Sequence, residues 1–387
     1  MKRIQLWHWD GGGLAHCGYR CHYKRHNVST TNDYLLKNAF LYPKGIENAF
    51  LCKFARKFSI IMAQQKILGI GSALTDILTP IQDESILSEL NLPKGSMTHV
   101  DMATSLKVGE ALASFDSTMA AGGSAANTVS GLAKLGIEAG FLSKVGKDEI
   151  GSFFEKEMLD TKVTPELFRT ETPSGRVQAI ITPDGERTFA TYLGASLELS
   201  PDDITPDLFK GWDIFYVEGY LVANPNMLNK AMETAKACGL KIAIDMASYN
   251  MVEDNRDYML QLINDYVDIV FANESEATAL TGMDPRESLD FIASKCEIAV
   301  VKIGKKGAYI KRGEEMATVD AGNYKPIDTT GAGDMWAAGF LAGLVKGESL
   351  EKCGKMGAIV AGNVIEVMGA KMDADRWNRV YDAIGKL

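Results

Sequence analysis

The chain has 387 residues, 46% of them hydrophobic and 24% charged, with a net charge of −9. These are ordinary values for a globular protein, and they exclude a chain disordered throughout, a collagen-like chain and a disulfide scaffold. No run approaches the roughly 18 consecutive apolar residues a membrane helix needs. An acidic balance also argues against a surface built to coat nucleic acid.

The average hides a break. Residues 1–61 hold ten Lys/Arg against three Asp/Glu, a balance of +7, so the other 326 residues carry −16. Four of the five His residues (His8, His16, His22, His26), Cys17, Cys21, Cys52, Trp7 and Trp9 also fall there. Three readings compete. His16, Cys17, Cys21, His22 and His26 are zinc-type ligands, but they are crowded and lack two separated ligand pairs. A targeting peptide lacks its apolar core and cleavage site. The favoured reading is a basic extension outside the fold, with the functional domain spanning 62–387, because Met62 stands just before a clean strand. Cys238, Cys296 and Cys353 are far apart in apolar surroundings. They read as free buried thiols in a reducing, cytoplasmic setting.

From Met62 onward, apolar strand-like runs alternate with helical patterns. Strands are expected at Ile67–Gly71, Ala139–Val145, Ile214–Val217, Lys241–Asp245, Ile269–Ala272, Ile298–Ile303 and Ala308–Lys311. Helices are expected at Ala125–Leu135, Gly151–Asp160, Met227–Cys238, from Glu274, at Ala332–Leu344 and at Cys353–Met368. This alternation predicts an α/β fold, a mostly parallel sheet with helices on both faces. Its ligands would bind beyond the carboxyl ends of the strands. Segments 76–118 and 172–196 break the rhythm with β-alternating stretches and no intervening helix. Arg176–Ile181 and Arg187–Tyr192, joined through Asp184-Gly185, read as a hairpin and suggest a small β lid.

Four motifs carry chemistry. In Asp328-Thr-Thr-Gly-Ala-Gly-Asp334, Gly331 and Gly333 allow close backbone approach ahead of a helix whose first N–H groups are unpaired. That makes an anion hole. Asp334, in the first helical turn, is either a plain dipole partner or a general base for a hydroxyl attacking a phosphoryl group. Gly122-Gly-Ser-Ala-Ala-Asn127 is a second glycine turn at a helix start, with Asn127 offering an amide. Asn273-Glu-Ser-Glu276 follows a strand and suits either a helix cap or a water-rich Mg²⁺ site. Val301-Lys-Ile-Gly304-Lys-Lys-Gly307 is a strand and turn that can line a nucleotide. A dinucleotide fingerprint at Gly69-Ile-Gly71 fails, since its third glycine falls on Leu74.

In the order GGSAANT, VGKDEIG, DGERTF, GYL, NESEA, KIGKKGA and DTTGAGD, the chain resembles the PfkB or ribokinase family of carbohydrate and nucleoside kinases, from about Ile67 to Ala370. The nearest look is to its adenosine-kinase-like branch, through Leu92–Met97, Thr191–Ala195 and Val217–Leu221. The resemblance implies a ribokinase-like, Rossmann-type three-layer sandwich with a β lid, ATP as donor and Mg²⁺. It implies Asp334 as base, the Gly331, Ala332 and Gly333 backbone as anion hole, and Arg187 near the transferring phosphate. Asp76, Gly122, Gly123 and Asn127 would bind the acceptor. Lys302, Gly304, Gly307, Thr330 and Asn363 would line the nucleotide, and Asn273 and Glu276 the magnesium. Asp328 and Thr330 match a potassium position in relatives. Ser72 and Lys302 depart from the common pattern, where Asn and Thr are usual.

The expected activity is transfer of the γ-phosphate of ATP to a hydroxymethyl group of a sugar or nucleoside, adenosine first. The alternatives are a sugar kinase of ribokinase or fructokinase type, or a non-catalytic sensor on the same fold. The expected partner is a small molecule, not nucleic acid or a membrane, acting on a monomer or homodimer.

Overall fold

The computed structural model describes residues 65–387. The basic segment 1–61, its His/Cys cluster and the start at Met62 lie outside the described residues. In chain order the first elements are β1 (Ile67–Ile70), β2 (Leu74–Pro80), α1 (Ser85–Glu89), β3 (Met97–His99), α2 (Met102–Leu112), β4 (Thr118–Gly122), α3 (Ser124–Lys134), β5 (Ala139–Gly146), α4 (Glu149–Asp160) and β6 (Val163–Thr170). A hairpin, β7 (Gly175–Ile181) and β8 (Arg187–Tyr192), follows. Then come β9 (Ile214–Glu218), α5 (Pro225–Ala237), β10 (Lys241–Asp245), α6 (Tyr249–Asp254), α7 (Arg256–Asp265), β11 (Ile269–Asn273), α8 (Glu274–Thr281) and α9 (Pro285–Ala293). The chain closes with β12 (Ile298–Lys302), β13 (Ala308–Arg312), β14 (Glu315–Val319), α10 (Ala332–Val345), α11 (Leu350–Val364) and α12 (Ala374–Gly385).

The main sheet has the order β14-β13-β12-β11-β10-β9-β1-β5-β6. From β12 to β6 every pairing is parallel; β13 and β14 add an antiparallel edge. Its central strands are buried on both faces, which is why they read as unbroken apolar runs rather than alternating ones. Phe141, Tyr216 and Phe271 face one core, shared with α3, α10 and α11. Leu68, Leu142, Phe215 and Val270 face the other, shared with α5, α7 and α9. The result is the expected three-layer, ribokinase-like α/β sandwich.

Helix α10 is apolar on all sides because it lies between two neighbours. A Cβ on Gly131 of α3 would stand 2.8 Å from Ala338 Cβ, and one on Gly339 would stand 2.6 Å from the Met356 carbonyl of α11. Glycine at these contacts brings the helix backbones together, and so fixes where the amino termini of α3 and α10 meet.

A second sheet, β3-β8-β7-β2-β4, draws its strands from 74–122 and 175–192. The hairpin is in register from Arg176↔Tyr192 to Ile181↔Arg187, with Gly185 at φ 84 in its turn. Segment 76–118 is not helix-free, contrary to the sequence reading: α1 and α2 interrupt it. Asp101 caps α2 by accepting from Thr104 N, and Val108 and Leu112 repeat every four residues against Ile180 and Ala190. The short, weakly patterned strands around it masked that period. Helix α11 is shifted from the expected Cys353–Met368, starting at Leu350. It ends at Val364, after which the chain turns through Gly369 (φ 76) to pack on residues 327–331. Cys353 is buried, but Cys238 is exposed at the end of α5, where no core covers it.

Candidate active site

Strand order reverses at β1, whose neighbours are β9 and β5. A crevice opens beyond the carboxyl ends of the strands at such a switch point. Two helix amino termini converge there. Gly123 precedes α3 with φ 96, and a Cβ on it would meet the Ser72 carbonyl at 2.3 Å. Gly331 precedes α10 with φ 75.

Asp334, in the first turn of α10, is tied to α3 through both oxygens. Ser124 Oγ donates to Oδ1 at 2.7 Å and Asn127 Nδ2 to Oδ2 at 3.0 Å. Burial pushes its carboxyl up to about 6, against the lowering effect of those two donors. The Gly333 and Asp334 amides have no backbone partner among the described residues, whereas Ala332 N donates to Thr329 O at 3.2 Å. Gly331 N likewise has no acceptor among the described residues, so of the expected Gly331, Ala332 and Gly333 amides only that of Ala332 is engaged. Among the described residues Asn127 Oδ1 is buried without a hydrogen-bond partner, an acceptor available to a ligand hydroxyl.

Asp76 comes from β2 of the second sheet, and a Cβ on Gly122 would stand 2.5 Å from its Oδ2, so Gly122 makes room for the carboxylate. Burial lifts Asp76 to about 6, opposed by Lys371 and Arg187. Arg187, from β8, lies with Nη2 2.7 Å from Asp328 Oδ2, both side chains nearly buried. The contact is an ion pair without hydrogen-bond alignment, since Arg187 Nε and Nη2 make no hydrogen bond among the described residues. A cavity of about 430 Å³ opens between the hairpin tip (Asp184–Arg187) and residues 326–330.

Asp328 accepts from Thr330 N, Thr330 Oγ1 and Gly369 N. Burial raises its carboxyl, but these donors and Arg187 outweigh it and hold it below the usual range. Both oxygens of Asp328 are thus engaged by donors. Thr330 is exposed beside it.

On the opposite flank, Gly304 (φ 57) and Gly307 (φ 99) form the turn after β12. Gly307 packs against the Val319 carbonyl, while Gly304 faces open space. Asn363 is buried and donates to Ile359 O within its own helix. Asn273 and Glu276 form a reciprocal cap on α8. Asn273 N and Nδ2 donate to the Glu276 oxygens at 2.7 and 2.6 Å, and Glu276 N donates to Asn273 Oδ1. Burial and Asp245 together push Glu276 up to about 7, with Lys302 opposing. No group of three His, Cys, Asp or Glu forms a metal cage among the described residues. The donor set, all oxygen and already hydrogen-bonded, fits an Mg²⁺ that keeps its water shell and is held mainly by phosphates.

Several site residues were not singled out from sequence. Ser124 orients Asp334. Glu218 ends β9 and is buried; its oxygens accept from Ala125 N at 2.9 Å and Ser72 N at 3.4 Å, capping α3. Burial lifts it to about 7 against those two amides. Asp245 ends β10 and pairs with Lys302. Lys371 follows Ala370, which packs on Gly331; burial lowers its ammonium, opposed by Glu157 and Asp76. An acid at the carboxyl end of a buried parallel strand was the available signal for Glu218 and Asp245. Nothing local marked Ser124 or Lys371.

The doubly wound sheet, the second, five-stranded sheet and the glycine-started helix carrying Asp334 define a ribokinase-like small-molecule kinase. The chain belongs to the PfkB family of carbohydrate kinases, whose family model matches residues 95–376. It is 30% identical over 250 residues to an uncharacterized sugar kinase of Archaeoglobus fulgidus, covering 62% of this chain and 96% of that one. It is 28% identical over 270 residues to a nucleoside kinase of Methanocaldococcus jannaschii, covering 68% and 85%. Among solved structures, the adenosine kinase from Sinorhizobium meliloti superposes with a TM-score of 0.73 at 34% identity, covering 83% of this chain and all of that one. A probable sugar kinase from Rhizobium etli gives 0.73 at 32%, covering 83% and 99%. Kinases of this family use ATP and Mg²⁺ and act on small sugars or nucleosides. No helix among the described residues is long and apolar enough to cross a membrane.

Proposed function

We propose that this kinase transfers the γ-phosphate of ATP to a hydroxymethyl group of a ribonucleoside, with adenosine as the first acceptor to test. The observation that carries the reading is Asp334, held by Ser124 and Asn127 beside two open helix amides. Asp334 takes the acceptor's proton, and the freed oxygen attacks the γ-phosphorus in line. With burial holding it near 6, Asp334 is mostly ionised at neutral pH yet basic enough to receive a proton. The Gly333 and Asp334 amides face the charge that develops on the phosphoryl oxygens. Arg187, with two buried nitrogens that make no hydrogen bond among the described residues, brings a cation from the second sheet, which acts as a lid over the cleft. Asp76, Gly123 and Asn127 orient the acceptor hydroxyls. Mg²⁺, when bound, neutralises the β- and γ-phosphate charge.

Support for a nucleoside acceptor is the likeness to the Sinorhizobium adenosine kinase. The likeness to the Archaeoglobus sugar kinase supports a sugar as the second reading. An ADP-release assay over nucleosides and free sugars separates them. Turnover confined to sugars overturns the nucleoside assignment, and binding without turnover across the panel favours a sensor.

A further inference from the structure

Asp245 is nearly buried, and both its oxygens are engaged. Ala247 N donates to Oδ1 at 3.1 Å, and Lys302 Nζ donates to Oδ2 at 3.0 Å. Ala247 adopts φ 68, a left-handed conformation that residues with a Cβ avoid and that clusters at functional sites. The turn after β10 is thus bent at a conformational cost so that its own amide fastens Asp245.

Lys302 is the last residue of β12, and its side chain is only 13% exposed. Burial disfavours its ammonium, but Asp245 and Glu276 outweigh that and hold it charged. A Cβ on Gly333 would lie 3.3 Å from Lys302 Nζ. The ammonium therefore reaches the backbone of the same residue whose amide opens into the anion hole. Of its three N–H donors, one is spent on Asp245. A long side chain that needed only to neutralise Asp245 had no cause to extend to the amino terminus of α10.

We infer that Lys302 is a catalytic residue whose ammonium contacts the transferring phosphoryl group, and that Asp245 is its positioning residue. The inference rests on the phosphotransfer reading above. In that step the acceptor oxygen bonds to the γ-phosphorus as the bond from that phosphorus to the β,γ-bridging oxygen breaks. ADP leaves with the electron pair, and the hydroxyl proton goes to Asp334. Lys302 keeps all its protons and compensates charge alone, where low polarity makes a fixed cation effective.

The test begins with the wild-type chain and its best acceptor. If that chain turns over no acceptor, the phosphotransfer reading itself fails. Given turnover, Lys302→Met is expected to lower kcat about 10²–10³-fold, the range for losing one donor to a developing oxyanion, with the acceptor KM within threefold. Lys302→Arg should retain at least a tenth of kcat. Lys302→Met also strands a buried carboxylate, so the double variant Lys302→Met/Asp245→Asn, which removes both charges, is the deciding measurement. A merely structural pair predicts that the double variant recovers near-wild-type kcat, and this result overturns the inference. A catalytic lysine predicts that it stays as slow as Lys302→Met while its thermal midpoint returns toward wild type. Asp245→Asn alone should cost about tenfold in kcat at unchanged KM, by loosening the ammonium.

Discussion

Ser124→Ala tests how α3 tunes the base on α10. Ser124 Oγ stands 2.7 Å from Asp334 Oδ1 and donates to a buried carboxylate. A hydrogen bond to a charged group contributes about 1.5–3 kcal/mol. Because the donor favours the ionised form, its loss raises the carboxyl further. At 1.36 kcal/mol per unit, the displacement is about one to two units, from about 6 toward 7–8. The base must be ionised to work, so activity falls as pH drops through its value. The kcat/KM profile reports the free enzyme and is unaffected by bound nucleotide. Wild type should show an acid limb near pH 6, with about 90% of activity retained at pH 7. Ser124→Ala should move that limb up by at least one unit while recovering most of the plateau at pH 9. Limbs that coincide within 0.3 units would refute the assignment of Asp334 as the titrating base or of Ser124 as its tuner.

Asp334→Asn keeps the shape but cannot take a proton, so kcat should fall about 10²–10⁴-fold while ATP still binds by calorimetry; near-wild-type turnover removes Asp334 from the mechanism. Glu218 has its folded value raised by burial from 4.5 to about 7, so the folded state is penalised above pH 7 and relieved as pH falls toward 4.5. Urea unfolding should therefore show wild type gaining roughly 2–3 kcal/mol relative to Glu218→Gln between pH 8 and pH 5; a constant gap across that window contradicts the burial argument. Gly131→Val places a side chain where Ala338 Cβ and Met335 Sδ already stand at 2.8 and 3.0 Å from the new Cβ. Overpacking of this kind costs about 1–3 kcal/mol, and it should lower kcat more than heat stability suggests, because it parts the helices that hold Asp334.

Much of the fold was legible because its cause is local. Buried parallel strands are apolar on both faces, and Lys241–Asp245 or Ala139–Gly146 announce themselves by composition. Helix starts at Gly123 and Gly331 were legible because only glycine tolerates their positive φ cheaply. Less visible were α1 and α2, short helices inside a strand-rich stretch, and the end of α11. Nothing in the periodicity of residues 353–368 shows that the chain must turn back so that Gly369 N can reach Asp328.

Of the site, the sequence by itself determined the reactive types and their backbone settings: a carboxylate one turn into a glycine-started helix, a second glycine turn, and an acid and an amide after β11. Tertiary structure alone decided what those groups do to one another. Ser124 and Asn127 reach Asp334 across 210 and 207 residues of chain, and Arg187 meets Asp328 only because the hairpin faces the α10 loop. The same packing brought Lys302 to the amino terminus of α10, whereas the mutual cap of Asn273 and Glu276 is local and was one of the two readings the sequence allowed. A sequence records which atoms are present. Burial and approach set how strongly each holds a proton, and those depend on neighbours distant in the chain.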